Sequence, residues 1–353
     1  MNLMTIAGSP REVGEQLGRA GQQAWHRLIV HTPLWQTVME QLSHPALDDM
    51  AQRVQHTFPD IWQELQGLAV GLNAPFRQVF AWNCRGDLLA STSDGCTSLA
   101  GWTERGEIML AHNEDGLPEL FDSSFLVNVI PTQGVEFISF AYPGSLCGHT
   151  FSVNRYGIVN IVNNIRMLER PQGLPRQVLA RAALTARTLD CAVAILRDFP
   201  RSGAFHHTLA QAGDSRVISL ETTGTDKSTL EVEGLFGHAN HLIHDPLLNT
   251  PQKITDSSAA RQSRIDQQLS YRGFLSKDRV LTLLSDQYDC ALPVYRQSPL
   301  DPDQENTLAT AIFTISPDQV QWEVYRRDRD CPENRQTMRR DIHCENVTQG
   351  LET

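Results

Sequence analysis

Ser93-Asp94-Gly95-Cys96-Thr97-Ser98 divides the chain into two kinds of sequence. Before it, apolar residues recur at helical spacing. From Cys96 onward they gather in short, β-branched and aromatic runs. A lone cysteine stands directly after a glycine, in a polar turn, at the head of the first such run. Most cysteines are small buried hydrophobes, and Asp-Gly ordinarily marks only a turn. The junction therefore asks for its own explanation.

Upstream, residues 9 to about 90 read as helix. Ser9-Pro10 is an N-cap followed by proline at the first helical position, with Glu12 three residues after the cap. Val13, Leu17, Ala20 and Trp25 follow at near-helical spacing. A second helix starts at Pro59-Asp60-Ile61-Trp62, runs through Leu65, Leu68, Ala69 and Leu72, and closes at Gly71 and Asn73. A third is expected from Phe76 to Leu88. All these stripes read as core packing.

Downstream, CTSLAGW, EIMLAHNE, SSFLVNVIP, VEFISFAYP and TFSVNRYGIVNIVNN are strand-like runs separated by turns. A helical pair spans about Leu174 to Asp198. Strands return in FHHTLAQAG, SRVISLETT, STLEVEG and GLFGHANHL. Residues 257–270 and 276–286 read as helix, and TLATAIFTI and QVQWEVYRR form a hairpin over Ser316-Pro317-Asp318. Short connections imply antiparallel pairing. The last twenty residues read as a loosely held tail. The sum is an α+β chain in which helices cover antiparallel sheets.

Composition narrows the function. Among 353 residues, 41 acidic against 30 basic residues give a net charge of −11. Phosphate binding needs clustered Lys and Arg, so no nucleic acid partner is expected. Arg326-Arg327 and Arg339-Arg340 read as solvated surface. No apolar run approaches the ~20 residues of a membrane span, and the opening lacks a secretory signal pattern, so no membrane partner is expected. The seven cysteines (84, 96, 147, 191, 290, 331 and 344) contain no CxxC pair. That argues against a disulfide framework and a thiolate zinc site. The expectation is a cytoplasmic, reduced protein in which any special cysteine is special for reactivity.

A Gly-Cys junction permits one particular reaction. The thiol can attack the preceding carbonyl, since glycine has no Cβ in the way and tolerates unusual backbone angles. The resulting thioester hydrolyses and leaves a chain beginning with Cys96. That residue then carries a thiol nucleophile and an α-amine whose pKa of ~7.7–8.0 suits a general base. Downstream, Asn113 and Asp115 alternate on a strand end and face the same way; they suit a site or a polar turn. Asn154, Asn160, Asn163 and Asn164 interrupt apolar strands and either satisfy backbone groups or line a pocket. FGHANHLIH brings His238, Asn240, His241 and His244 together. On a strand His238 and His244 share a side with Asn240, and His241 faces away. No acidic or cysteine ligand stands at a familiar metal spacing.

These segments resemble the cysteine N-terminal-nucleophile hydrolases of the acyl-CoA:6-aminopenicillanic acid acyltransferase family. Three blocks carry the likeness. One is GSPREVGEQLGR with Gly8, Gly14 and Gly18. Another is ELQGLAVGLN, FAWNCRGDLL, SDGCTSLAG and LAHNEDG in family order. The last is GHANHL. The resemblance implies a four-layer αββα fold, two packed antiparallel sheets between helical layers. It implies self-cleavage between Gly95 and Cys96, a zymogen whose helical segment 1–95 and β segment 96–353 form one integrated domain after the cut. Matching positions give Cys96 as nucleophile, Asp115 as the acid that orients it, and Asn240 as oxyanion donor. Asn163 is a second donor by likeness to bile-salt hydrolases, with Asn164 its rival. Arg85, Asn113 and His238 would position the substrate or the cleavage loop. The acidic residue after the family's Asn-x-Arg is displaced here to Asp87. The resemblance carries over neither penicillin chemistry nor coenzyme A use.

The leading expectation is an autoproteolytic amide hydrolase or acyltransferase acting through a Cys96 thioester on a small-molecule amide or acyl donor. It needs no metal and no cofactor, and a homo-oligomer stays open. The alternative is a non-processing zinc-binding or structural member using His238, His241 and His244.

Overall fold

The computed structural model describes residues 1, 3–90, 94–271, 273–298 and 300–341. Ser93, Cys344 and the end of the expected tail lie outside them.

The N-terminal segment runs β1 (Leu3–Gly8), α1 (Pro10–Arg27), α2 (Pro33–Met39), α3 (Pro45–Thr57), α4 (Pro59–Leu72), α5 (Phe76–Asn83) and α6 (Arg85–Leu88). Ser9 and Glu12 form the expected capping box on α1. Each of α1 to α4 opens on proline, where the missing N–H costs nothing. α4 ends at Asn73, in the left-handed region at φ 53°, ψ 50°. The single helix expected over 76–88 is broken at Cys84, whose φ −102°, ψ 8° interrupts the helical turn. β1 has no counterpart in the sequence reading.

The opening glycines have a packing reason. A Cβ on Gly14 would lie 1.9 Å from the Glu64 carbonyl oxygen, and one on Gly71 would lie 2.1 Å from that of Glu15. α1 and α4 therefore cross backbone against backbone, which any side chain at these positions would forbid.

The rest of the chain supplies β2 (Asp94–Trp102), β3 (Ile108–Gly116), β4 (Phe125–Pro131), β5 (Phe137–Ala141), β6 (Phe151–Asn154) and β7 (Ile158–Ile165). Then come α7 (Arg176–Ala183), α8 (Leu189–Asp198), β8 (Ala204–Gln211), β9 (Val217–Thr222), β10 (Lys227–Glu231) and β11 (Phe236–His238). α9 (Asp256–Leu269), α10 (Lys277–Leu284), β12 (Asn306–Ile315), β13 (Gln319–Tyr325) and β14 (Asn334–Arg339) complete the order. β14 lies within the expected tail: paired in register with β13, that stretch finds backbone partners its polar sequence did not announce.

Two sheets result. The first has the order β1-β4-β5-β6-β7-β8-β9-β10, the second β11-β2-β3-β12-β13-β14. Every pairing is antiparallel except β1 with β4. They pack face to face, Phe151 of the first meeting Phe313 and Trp322 of the second edge-on. α1, α7 and α8 cover the outer face of the first sheet, with α4 packed on α1, and α9 and α10 cover that of the second. This is the four-layer αββα arrangement. One hydrophobic cluster runs from Ile6 to Met338 and joins the helical segment to both sheets.

Candidate active site

The site grows from the β2–β3 ladder, where Gly95 pairs with Asp115, Cys96 with Glu114, Thr97 with Asn113 and Ser98 with His112. Directly opposed residues share a face, and neighbours alternate. Cys96, Glu114, His112 and Ser98 thus point toward the first sheet. Gly95, Asp115, Thr97 and Asn113 point toward α9, α10 and the segment after them.

On the inner face Cys96 is buried, its thiol donating to Glu114 Oε2 at 3.7 Å. The same oxygen lies 2.9 Å from His112 Nε2, and Tyr142 Oη donates to Glu114 Oε1 at 2.5 Å. Burial pushes His112 down to about 3, so its ring is neutral near pH 7. Cys96 and Glu114 line a narrow pocket with Arg85, Asn164, Arg176 and Phe205. Both guanidiniums are engaged with the protein. Arg176 Nη1 donates to Asn164 Oδ1 and to the Ile165 and Ala204 carbonyls, over the Phe205 ring. Arg85 Nη1 donates to the Trp82 carbonyl.

Cys96 is held from the other side by the segment after β11 and by α9. Its N–H donates to Asn240 Oδ1 at 2.8 Å. Arg261, fully buried, donates to the Cys96 carbonyl at 2.5 Å, to Thr97 Oγ1 at 3.0 Å and to Asn240 Oδ1 at 2.8 Å. A backbone N–H and a guanidinium can only donate, so the Asn240 atom facing both is its oxygen. Asn240 Nδ2 donates to the Asn164 carbonyl at 3.0 Å. The expected oxyanion donor is thus engaged, in this arrangement, in holding the nitrogen of Cys96.

The outer face carries a dense charge cluster. Arg296 Nη1 donates to Glu305 Oε2 at 2.5 Å and lies 3.8 Å from Asp115 Oδ2, while its Nη2 pairs with Asp301. Arg166 reaches Glu305 Oε1 at 2.9 Å. Asp115 Oδ1 accepts from Thr307 Oγ1 at 2.7 Å. Burial raises Asp115 above the ordinary carboxylate range against the pull of Arg296 and Arg261, and lifts Glu305 to about 7 against Arg166 and Arg296. Gly95 fits here because a Cβ would lie 2.2 Å from Glu305 Oε2 and 2.8 Å from Arg296 Nη1. It is not among the positive-φ glycines. Space, rather than an unusual backbone angle, demands glycine at this position.

The expected residues divide accordingly. Gly95, Cys96, Asp115 and Asn240 converge on the junction, although Asp115 stands on the face opposite the thiol. Asn113 does not join them: its Nδ2 donates to the Leu284 carbonyl at 2.8 Å and its Oδ1 accepts from Thr310, anchoring α10. Asn163 turns into the space between the sheets, where Oδ1 accepts from Ser98 Oγ and Nδ2 donates to the His238 carbonyl. Its rival Asn164 lines the cavity, because strand alternation puts the two on opposite faces of β7. Arg85 lies on the cavity wall. His238 stacks on His206 at 3.5 Å and meets Glu221 at 2.9 Å, away from the thiol.

The three histidines do not converge. His244 joins His238 near Glu221, while His241 Nδ1 bonds Ser258 on the other side. Among the described residues, the group able to hold a metal ion is Cys96, His112 and Glu114, whose ligand atoms lie within 4.8 Å of one another. The sequence reading singled out neither His112 nor Glu114, nor Arg261 and Arg296. For Glu114 a signal existed: it alternates with Asn113 and Asp115 and so belongs to the opposite face.

Comparison with known proteins finds two likenesses. Residues 102–329 match the sequence profile of the acyl-coenzyme A:6-aminopenicillanic acid acyl-transferase family, a stretch that begins after Cys96. A beta-alanyl-dopamine/carcinine hydrolase of Drosophila melanogaster is 28% identical over 353 residues, covering 88% of this chain and 89% of the relative. Among the described residues, no helix is long and apolar enough to cross a membrane.

Proposed function

Because the chain belongs to the acyl-coenzyme A:6-aminopenicillanic acid acyl-transferase family, whose chemistry is acyl transfer and amide cleavage on small molecules, we propose that it is a self-processing cysteine amide hydrolase. The observation that carries this reading is the Cys96 nitrogen held on Asn240 Oδ1 while the thiol faces a cavity beside Glu114.

In the self-cleavage step the Cys96 sulfur attacks the Gly95 carbonyl carbon and the Gly95–Cys96 C–N bond breaks. The thiol proton passes to the departing nitrogen. Water hydrolyses the thioester, giving Gly95 a carboxylate and Cys96 a free amine. Segments 1–95 and 96–353 stay together on their shared hydrophobic cluster. Asn240 Oδ1 keeps the new amine beside its own thiol and leaves the nitrogen lone pair free to act as base. Asp115, across the ladder from Gly95, offers that amine a carboxylate, and Arg261 fixes the Cys96 carbonyl and Asn240 together.

Turnover repeats the chemistry on a substrate. The amine takes the thiol proton, sulfur attacks the amide carbonyl, and the amine product leaves with that proton. Water then releases the acid. Hydrolysis is preferred to transfer because the Drosophila relative is a hydrolase. The test is the intact mass of purified wild type and Cys96→Ala. Wild type is expected as two fragments cut before Cys96, the variant as one inactive chain. An uncut wild type that turns over amides would overturn self-cleavage, and a Cys96→Ala enzyme with undiminished activity would overturn the nucleophile.

A further inference from the structure

The histidine-rich stretch around Asn240 reads as a candidate zinc site in the sequence, and its hydrogen bonds give it another task. Past His238 the chain leaves the β11 ladder, so its backbone N–H groups need other acceptors. Side chains supply them. From α9, Gln262 accepts from Ala239 N–H at 2.7 Å and Ser258 from Asn240 N–H at 2.9 Å. Gln252 accepts from Leu242 N–H at 2.8 Å. Glu221 of β9 takes the next two, Ile243 N–H on Oε1 at 2.7 Å and His244 N–H on Oε2 at 3.1 Å. The same Oε1 meets His238 Nε2 at 2.9 Å. One carboxylate of the first sheet thus grips both ends of the segment whose middle residue, Asn240, holds the Cys96 nitrogen.

Hydrogen-bond polarity fixes the charge. His238 Nδ1 lies 2.8 Å from the Ala239 carbonyl, which can only accept, so that nitrogen carries hydrogen. Nε2 faces a carboxylate whose two oxygens are both turned to backbone N–H donors. A hydrogen on each ring nitrogen makes His238 an imidazolium. Burial opposes the charge on Glu221, yet His238 and the Ile243 N–H hold its carboxyl below the ordinary value. His206, pushed well below its usual value by burial first and then by His238, stays neutral. Its ring stacks on His238 at 3.5 Å with the planes 4° apart. Asn163 ties the two together, its Oδ1 meeting His206 Nδ1 at 3.0 Å and its Nδ2 donating to the His238 carbonyl.

The geometry points to Glu221 and His238 as a buried ion-pair clamp, drawn from opposite sheets, that positions Asn240 on the nitrogen of the nucleophile. Both side chains are fully buried, and removing one partner of such a pair leaves the other's charge unmet. The two act through Asn240, away from the reacting atoms. This deepens the proposed function and rests on it for its consequence: loosening the clamp slows self-cleavage.

The clamp is tested in Cys96→Ala, which stays uncut whichever way the self-cleavage reading falls. Ring-nitrogen NMR at neutral pH, with His238 assigned from the signal lost in His238→Gln, is expected to show hydrogen on both of its nitrogens. Adding Glu221→Gln should lower hydrogen-exchange protection of the backbone amide at position 96 by about 10-fold, the loss of one charge-assisted hydrogen bond. Amides of β5 and β6 should keep theirs. A bare Nε2 on His238, undiminished protection at position 96, or an equal fall across β5 and β6 would each overturn the clamp. Should Glu221→Gln fail to fold, His238→Gln, which keeps a donor toward Glu221 without the charge, carries the exchange measurement with the same expectations.

In the chain that retains Cys96, Glu221→Gln should slow self-cleavage by about 10-fold, read by intact mass. Cleavage at the wild-type rate would overturn the positioning role. If the wild type itself stays uncut, it is the self-cleavage reading that falls, and the exchange measurement decides the clamp.

Discussion

Replacing Gly95 by Ala puts a methyl carbon 2.2 Å from Glu305 Oε2 and 2.8 Å from Arg296 Nη1, where ordinary contact begins near 3.4 Å. Glu305 would have to retreat by about 1 Å to restore ordinary contact. It has little room to do so: Arg296 holds Oε2 at 2.5 Å, Arg166 holds Oε1 at 2.9 Å, and all three side chains are buried. Breaking one arm of a buried ion pair costs roughly 3–5 kcal/mol, and about 3 kcal/mol is the expectation here because the Arg166 arm can persist. With an unfolding entropy of roughly 2.1 cal/mol/K per residue, that lowers Tm by about 4 °C for a chain of this length. Thermal melts should compare Gly95→Ala/Cys96→Ala with Cys96→Ala, so that neither protein is cut and processing does not confound stability. In the Cys96 background, Gly95→Ala should accumulate as an intact chain. A double variant melting within about 1 °C of its parent, together with Gly95→Ala processed at the wild-type rate, would refute the steric reasoning.

Two further outcomes test the surroundings. Arg261→Lys replaces a fork of donors on Cys96, Thr97 and Asn240 by a single point charge. Self-cleavage, followed by gel densitometry after translation, should slow by roughly 10- to 100-fold, a loss of one or two oriented charged hydrogen bonds; an unchanged rate would dismiss the positioning role. His207 is fully buried against Asn160 and pushed down to about 3, by burial first and then Arg201. Its native ring stays neutral while the unfolded ring takes up a proton below about 6.5, so stability present above that pH is lost as pH falls toward 3. At pH 5 this one group costs about 2 kcal/mol relative to neutral pH. In urea melts of Cys96→Ala at pH 7 and pH 5, His207→Gln should reduce the acid loss by about that amount; a loss of the same size in both proteins would count against it.

Much of this protein is legible in its sequence because the relevant physics is local. Ser9, Pro10 and Glu12 announce a helix start through groups within one turn, and α1 begins there. Alternating apolar runs between turn residues announce strands, and the β12–β13 hairpin follows the reading closely. Gly95-Cys96 states a chemical possibility at a single peptide bond. The N-terminal strand was not legible, since β1 owes its existence to a parallel partner more than a hundred residues away. The helix break at Cys84 follows Asn83, whose side chain bonds the distant Gly144 carbonyl and Leu146 N–H, and the strand inside the expected tail exists because β13 gives it a ladder partner.

The sequence by itself singled out the cysteine proposed as nucleophile and the short segments that supply polar groups. Only the tertiary structure decided which of those groups meet it. Pleating sends Asn113 and Asp115 to one side of β3 and Glu114 to the other, so the carboxylate beside the thiol is the one between the two first noticed. Strand alternation likewise separated Asn164 from Asn163, and the meeting of β2 with α9 turned Asn240 toward the Cys96 nitrogen. A hydrogen bond acts over about 3 Å, and partners 144 residues apart in the chain come within that reach only once the sheets have packed.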